Sequence, residues 1–159
     1  MQQMDGMMPS FDDIVNELQD KINEETIEAY GQAGFERWRN QPYRGEPSGA
    51  NYEGASTGGC GDTIWIYLEI EDEVVVDAGY ATDGCGSSAI SGSMAAELAV
   101  NKRCEDIPAI TGEAVLEGLG GKKCLPEDDQ HCAWLAANAL LEAVGSYYRQ
   151  QAASESKKD

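Results

Sequence analysis

The chain has 159 residues, 29 of them acidic and 11 basic, for a formal charge of −18. A field of that sign repels nucleic acid and anionic membrane surfaces and favours basic protein partners or metal cations. No apolar run approaches the roughly 18 residues that a membrane helix needs, and the length suits one domain, 1–159, with a core of its own.

The opening MQQMDGMMPS has neither a basic n-region nor an apolar h-region. It is therefore not a secretory signal, and a cytoplasmic protein is expected, with residues 1–10 disordered. From Phe11 to about Tyr30, Ile14, Leu18, Ile22 and Ala29 recur at helical spacing, with Ser10 placed as the cap. The acidic pairs Asp12–Asp13 and Glu24–Glu25 read as solvated helix faces. The stretch from Phe35 to Gly59 is rich in Gly, Pro, Asn and Ser and predicts a long ordered loop, with a short strand near Tyr52–Ala55.

Two strands follow. Ile64, Ile66, Leu68 and Ile70 alternate with Trp65, Tyr67 and Glu69, and Val74–Thr82 is the partner run. Only Glu71–Asp72–Glu73 separates them, so they form a hairpin. The period then becomes helical: Ser87–Val100 carries Ile90, Met94 and Leu98 on one stripe, and Gly112–Leu119 is stopped by Gly120–Gly121. His131–Arg149 carries Leu135, Ala139, Ala143 and Tyr147, with Asp128 and Asp129 before its positive end. The tail 151–159 has nothing to bury and is expected disordered. These elements predict an α+β domain, a small antiparallel sheet of about three strands with helices packed on one face.

Five cysteines, Cys60, Cys85, Cys104, Cys124 and Cys132, are an odd number without an export signal, which argues against a disulfide framework. Three of them stand at element ends: Cys60 in GGCGD before the first long strand, Cys85 in DGCGS between strand and helix, and Cys132 in QHCA opening the last helix. Glycine around Cys60 and Cys85 lets a bulky ion approach the backbone. Cys85 and Cys132 also lie at helix N-termini, which lower a thiol pKa. Asp62 and His131 add an oxygen and a nitrogen to three sulfurs. Such a set takes Zn²⁺ tetrahedrally or holds a small iron–sulfur cluster. No CxxC pair occurs, against zinc ribbons and ferredoxin-type permanent clusters. A [2Fe–2S] cluster needs four ligands, so Asp62 or His131 would be the fourth, and that mixed set suits release better than electron transfer.

The order C-G-D, hairpin, G-C-G-S-S-A-I-S-G-S-M, L-P and H-C, preceded by Asn40–Gly45 after Phe35 and Trp38, resembles the U-type iron–sulfur cluster assembly scaffolds, the IscU and NifU N-terminal family. The likeness runs from about Tyr30 to Tyr148. It implies a SufE/NifU-like α+β fold and a carrier, not a turnover enzyme. The carrier would take sulfur from a cysteine desulfurase, hold a transient [2Fe–2S] cluster and pass it to recipient apo-proteins. The resemblance implies ligand roles for Cys60, Cys85 and Cys132, with Asp62 and His131 at positions that ligate or tune lability.

The family's Leu-Pro-Pro-Val-Lys segment, read by an Hsp70 chaperone, stands here as Leu125-Pro126-Glu127-Asp128-Asp129. Acids replace the lysine, so no Hsp70 contact is expected through it. The second reading is a zinc-dependent sulfurtransferase of the SufU type, with Zn²⁺ in the same pocket and Cys132 as the persulfide acceptor. That branch has an insertion between its second and third cysteines and lacks the histidine. Here the step from Cys85 to Cys132 is 47 residues and His131 is present. Cys104 reads as structural and Cys124 as a lesser candidate near the site. Trp38, Trp65 and Trp134 read as packing, and GGCGDT is not a phosphate loop.

Overall fold

The computed structural model describes residues 8–157; the disorder expected of residues 1–7 and 158–159 lies outside the described residues. A helix, α1, runs Phe11–Asn40, interrupted at Gly31 (φ 74°, ψ 173°). Ser10 caps it reciprocally: its Oγ accepts the Asp13 amide and its own amide donates to the Asp13 carboxylate, both at 3.1 Å. The stripe of Ile14, Leu18 and Ile22 faces solvent, each at least 42% exposed. The part of α1 that meets the core is its second half, which the sequence predicts as loop. There Phe35 is buried, and Arg37 donates to Ser93 and Glu97, both at 2.8 Å. Local Gly and Asn content pointed to a loop, and these tertiary contacts prevail. The true loop begins at Gln41.

Three strands follow, β1 Tyr52–Thr57, β2 Thr63–Glu71 and β3 Val74–Thr82, in one antiparallel sheet ordered β1-β2-β3. The hairpin turn is Asp72–Glu73, both at positive φ. A bulge at Glu69/Ile70 shifts the register by one residue and turns Val76 outward. On β2, Ile64, Ile66, Leu68 and Ile70 are buried while Trp65, Tyr67 and Glu69 are half-buried. Each such isoleucine or leucine contributes about 1.5–3 kcal/mol of burial. The loop after α1 runs along the β3 edge, where the Tyr80 amide donates to the Tyr43 carbonyl and the Gly45 amide to the Tyr80 carbonyl.

The remaining helices are α2 Gly86–Ala99, α3 Gly112–Leu119 and α4 His131–Ser156, with 3-10 turns at Cys104–Ala109, Lys122–Cys124 and Glu127–Asp129. Helices α2 and α4 cover the isoleucine face of the sheet, α4 over β1 and α2 over β3. Ala136, Ala139, Ala143 and Val144 of α4 are buried, and a Cβ at Gly54 of β1 would lie 2.1 Å from the Ala143 backbone nitrogen. Only glycine allows helix and strand backbones to meet that closely. The expected α+β class, three strands and one covered face are what the structure shows. Two details differ. Leu98 is only half-buried, and α4 continues with exposed residues from Gln151 to Ser156, where disorder was predicted.

Candidate functional site

Strand antiparallelism brings the three chemically marked cysteines to one end of the sheet. Ile64 pairs with Thr82, so the turn before β2 and the turn after β3 lie side by side. The first turn, Gly58 to Asp62, is closed by Gly58 and Gly61 amides on the Asp62 and Gly58 carbonyls, and it projects Cys60 into solvent. The Asp83 carboxylate accepts the Thr63 amide at 2.8 Å, and the Thr82 hydroxyl donates to the Thr63 carbonyl at 2.7 Å. These bonds tie the Cys60 turn to the Cys85 turn. Cys85 itself is the exposed N-cap of α2 and makes no capping bond with its side chain.

The third segment comes from the other side. The 3-10 turn Glu127–Asp129 feeds α4, whose first residues are His131 and Cys132. His131 Nδ1 lies 2.9 Å from the Asp128 carbonyl oxygen. A carbonyl only accepts, so that contact puts the proton on Nδ1 and leaves the Nε2 lone pair free. Nε2 lies 3.6 Å from Cys60 Sγ and 3.8 Å from Cys132 Sγ. In a tetrahedral site with Zn–S near 2.3 Å and Zn–N near 2.0 Å, neighbouring S and N ligands are about 3.6 Å apart. Those two contacts have the right ligand–ligand spacing.

Asp62 is held from α2. Ser88 of α2 donates to its Oδ2 at 3.3 Å, and the same hydroxyl lies 3.5 Å from Cys132 Sγ. A Cβ on Gly84 would sit 2.7 Å from the Asp62 carboxylate and 2.8 Å from Ser88 Oγ, so residue 84 must stay bare. Next door, Ser87 donates to Asp129 at 2.9 Å and to Tyr30 at 3.4 Å. The structure thus gathers Cys60, Asp62, His131 and Cys132 through direct contacts or one hydroxyl. Cys85 is near enough for its charge to act on Cys132. Yet among the described residues no group of three His, Cys, Asp or Glu side chains stands close enough together to hold a metal ion as placed. The donors are neighbours that do not close round a common point.

One electrostatic expectation is overturned. Cys132 does begin a helix, but it is 1% exposed, and its thiol pKa is pushed up to about 11. Burial is the main cause. The Ser88 contact opposes it, and the negative charges of Cys85, Asp129 and Asp62 add to the rise. Removal of solvent outweighs the helix N-terminus here.

The other cysteines separate from the site. Cys104 is buried in the core, and burial raises its pKa, as a structural role requires. Cys124 is half-buried at the end of its 3-10 turn, its Sγ beside Gly120 and not among the contacts of Cys60, His131 or Cys132. Trp38 packs near Phe35, their ring centroids 6.2 Å apart, and Trp65 is half-buried on the sheet. Trp134 lies over Gly112 and remains 43% exposed. Three contributions escaped the sequence reading: the Asp128 carbonyl, the Ser87–Asp129 bond and above all Ser88. The available signal was the run of serines on a helix with no polar face, four of which are fully buried.

Comparison with known proteins gives one consistent picture. The NifU-like N terminal domain family matches residues 30–154. The chain is 37% identical over 123 residues to "Iron-sulfur cluster assembly scaffold protein IscU 1" of Archaeoglobus fulgidus, covering 76% of this chain and 77% of that one. It is 34% identical over 101 residues to the protein named IscU of Rickettsia prowazekii, covering 63% of this chain and 72% of that one. Among solved structures, a NifU-like protein (N-terminal) from Brucella abortus superposes with TM-score 0.61 at 16% identity, covering 77% of this chain and 96% of the other. The FiSufU protein of Fervidobacterium islandicum superposes with TM-score 0.55 at 16% identity, covering 72% and 96%. These two likenesses speak for the fold alone.

Proposed function

The chain belongs to the NifU-like N-terminal domain family of iron–sulfur cluster assembly scaffolds, and from that premise we propose that it builds a labile [2Fe–2S] cluster as cargo between Cys60, Cys85, Cys132 and one of Asp62 or His131. The observation that carries this reading is the free Nε2 of His131, directed between two thiol sulfurs at 3.6 and 3.8 Å while a backbone carbonyl fixes its tautomer. An incoming iron ion finds sulfur and nitrogen donors pre-spaced for tetrahedral coordination, with Asp62 one hydroxyl away. Because the cage is open, cargo enters and leaves without unfolding.

Sulfur comes from a cysteine desulfurase as persulfide on this reading, an external two-electron donor reduces it to the sulfide of the cluster, and completed clusters pass to recipient apo-proteins. Cys60 and Cys85 are the exposed thiols, so they meet the donor first. The buried Cys132 takes over the outer sulfur from them by thiol–persulfide exchange, which returns the donor cysteine to its thiol. A surface of charge −18 docks a basic patch, with association weakened by salt. Glu127, Asp128 and Asp129 occupy a 3-10 turn that supports His131 and carries no lysine, so an Hsp70 contact through this segment is not part of the proposal.

The zinc reading draws on the same spacing of S and N donors, with Zn²⁺ held and Cys132 carrying persulfide as a sulfurtransferase. Anaerobic reconstitution with iron, sulfide and reductant separates the two. The scaffold gives a brown, oxygen-sensitive protein with [2Fe–2S] absorption. A colourless protein that keeps one tight zinc ion overturns the scaffold in favour of sulfur transfer. Asp62→Ala refines the test: the variant is expected to hold its cluster longer during transfer to an apo-ferredoxin, followed by circular dichroism. Transfer as fast as wild type, or no assembly at all, removes this role from Asp62.

A further inference from the structure

We propose that Ser88 is a positioning residue that fixes the Asp62 carboxylate in register with Cys132, and so sets how easily the cargo is released; this rests on the scaffold reading. Ser88 is the third residue of α2 and fully buried. A helical hydroxyl has a cheap local solution in its own helix, as Thr26 shows by donating to the Ile22 carbonyl at 2.7 Å. At the third position of α2, Ser88 has no helical carbonyl four residues back, because Gly84 precedes the helix. Its Oγ reaches instead to side chains 26 and 44 residues away, Asp62 Oδ2 at 3.3 Å and Cys132 Sγ at 3.5 Å. Among the described residues it is the one side chain hydrogen-bonded to both.

The bare backbone of Gly84 flanks this contact, and a Cβ there would overlap both the Asp62 carboxylate and Ser88 Oγ. Without a hydroxyl at 88, nothing on α2 opposes rotation of this half-buried carboxylate toward solvent. A carboxylate pinned beside Cys132 meets iron bound there in one orientation, whereas a free one samples several and is lost as a defined ligand. Alanine at 88 therefore resembles, in part, removal of Asp62 itself. The adjacent Ser87 makes a useful contrast, because its bond goes to Asp129 and Tyr30 instead.

The test is a double-mutant cycle on full-length protein: wild type, Ser88→Ala, Asp62→Ala and the double variant. Each is loaded with cluster and challenged with a chelator. Cluster half-life and the visible circular dichroism spectrum are read, with thermal unfolding as the fold control. Ser88→Ala is expected to lengthen cluster half-life at least threefold and to move the spectrum toward that of Asp62→Ala. In the Asp62→Ala background it should change half-life by less than about 1.5-fold. An equal effect in both backgrounds, or none in wild type, overturns the proposal.

Asp62→Asn, which keeps an oxygen acceptor, should restore sensitivity to Ser88→Ala, and Ser87→Ala should show no coupling to Asp62. A second readout uses Co²⁺ alone, whose ligand-field spectrum should respond to Ser88→Ala only when residue 62 retains its oxygen. If wild type takes Co²⁺ with this coupling yet never assembles a cluster, the scaffold reading falls and the positioning role stands. If clusters assemble and the effects simply add, the positioning role falls alone.

Discussion

Cys60 and Cys132 contact the same imidazole nitrogen from opposite surroundings. Cys60 rides an exposed turn between β1 and β2, while Cys132 is 1% exposed beneath α2. One end of the site is therefore built for exchange with solvent and partners, and the other for retention. The difference comes from the packing partner, since both residues stand at the end of a secondary-structure element. Turn backbone leaves the first thiol in water. Ser88 of α2 and the core beneath it remove water from the second. A scaffold that must both take up and hold cargo gains from having one of each.

The contrast is sharpest in thiol reactivity. In metal-free protein at pH 8, iodoacetamide should label Cys60 and Cys85 at least 100-fold faster than Cys132. The rise of the Cys132 thiol pKa from 9.0 to about 11 alone lowers its thiolate fraction at pH 8 roughly 90-fold, before access is counted. Peptide mapping against time measures this. Labelling of all three at similar rates would break the distinction between rim and floor.

Stability in alkali is the next largest effect. Cys132 has its folded pKa raised to about 11, so folding favours its protonated form. That contribution is fully present below the unfolded thiol pKa and disappears as pH climbs from there through 11. Metal-free protein should lose roughly 2–3 kcal/mol of unfolding free energy over this window, at about 1.4 kcal/mol per unit. Chemical denaturation of wild type against Cys132→Ala at pH 8 and 11 reads it. Parallel losses in the two proteins would assign the alkaline sensitivity to other groups.

The smallest effect belongs to a cysteine on neither side of the comparison. Cys124 is half-buried and away from the Cys60, His131 and Cys132 contacts. Cys124→Ser should change stability by less than about 1 kcal/mol and leave iron stoichiometry after reconstitution unchanged. A drop in bound iron would bring Cys124 into the site.

Much of this was legible from residue order. Period-2 alternation on Ile64–Ile70, the short link to Val74 and the helical stripe from His131 announce the sheet, the hairpin and α4, because each pattern is local and each was later buried as its period requires. The glycine-flanked cysteines and the His-Cys pair pointed to a candidate site through chemistry that plain packing does not need. The fate of α1 was not legible. Ile14, Leu18 and Ile22 have the spacing of a buried face and stay exposed, while the Gly- and Asn-bearing segment around Phe35 became the packed half. Spacing tells which residues share a face, and it says nothing of whether another element covers that face.

The sequence by itself determined the element types of the sheet and of α2 to α4, the identity of the five candidate donors and the family likeness. These depend on side-chain chemistry and on periods within one segment. The tertiary structure alone decided that His131 presents Nε2 to two sulfurs, that Cys132 is a buried and weakly acidic thiol, and that Ser88 stands between Asp62 and Cys132. Each of those facts arises where segments far apart in sequence meet. Desolvation and a 3 Å contact are properties of that meeting, not of either segment.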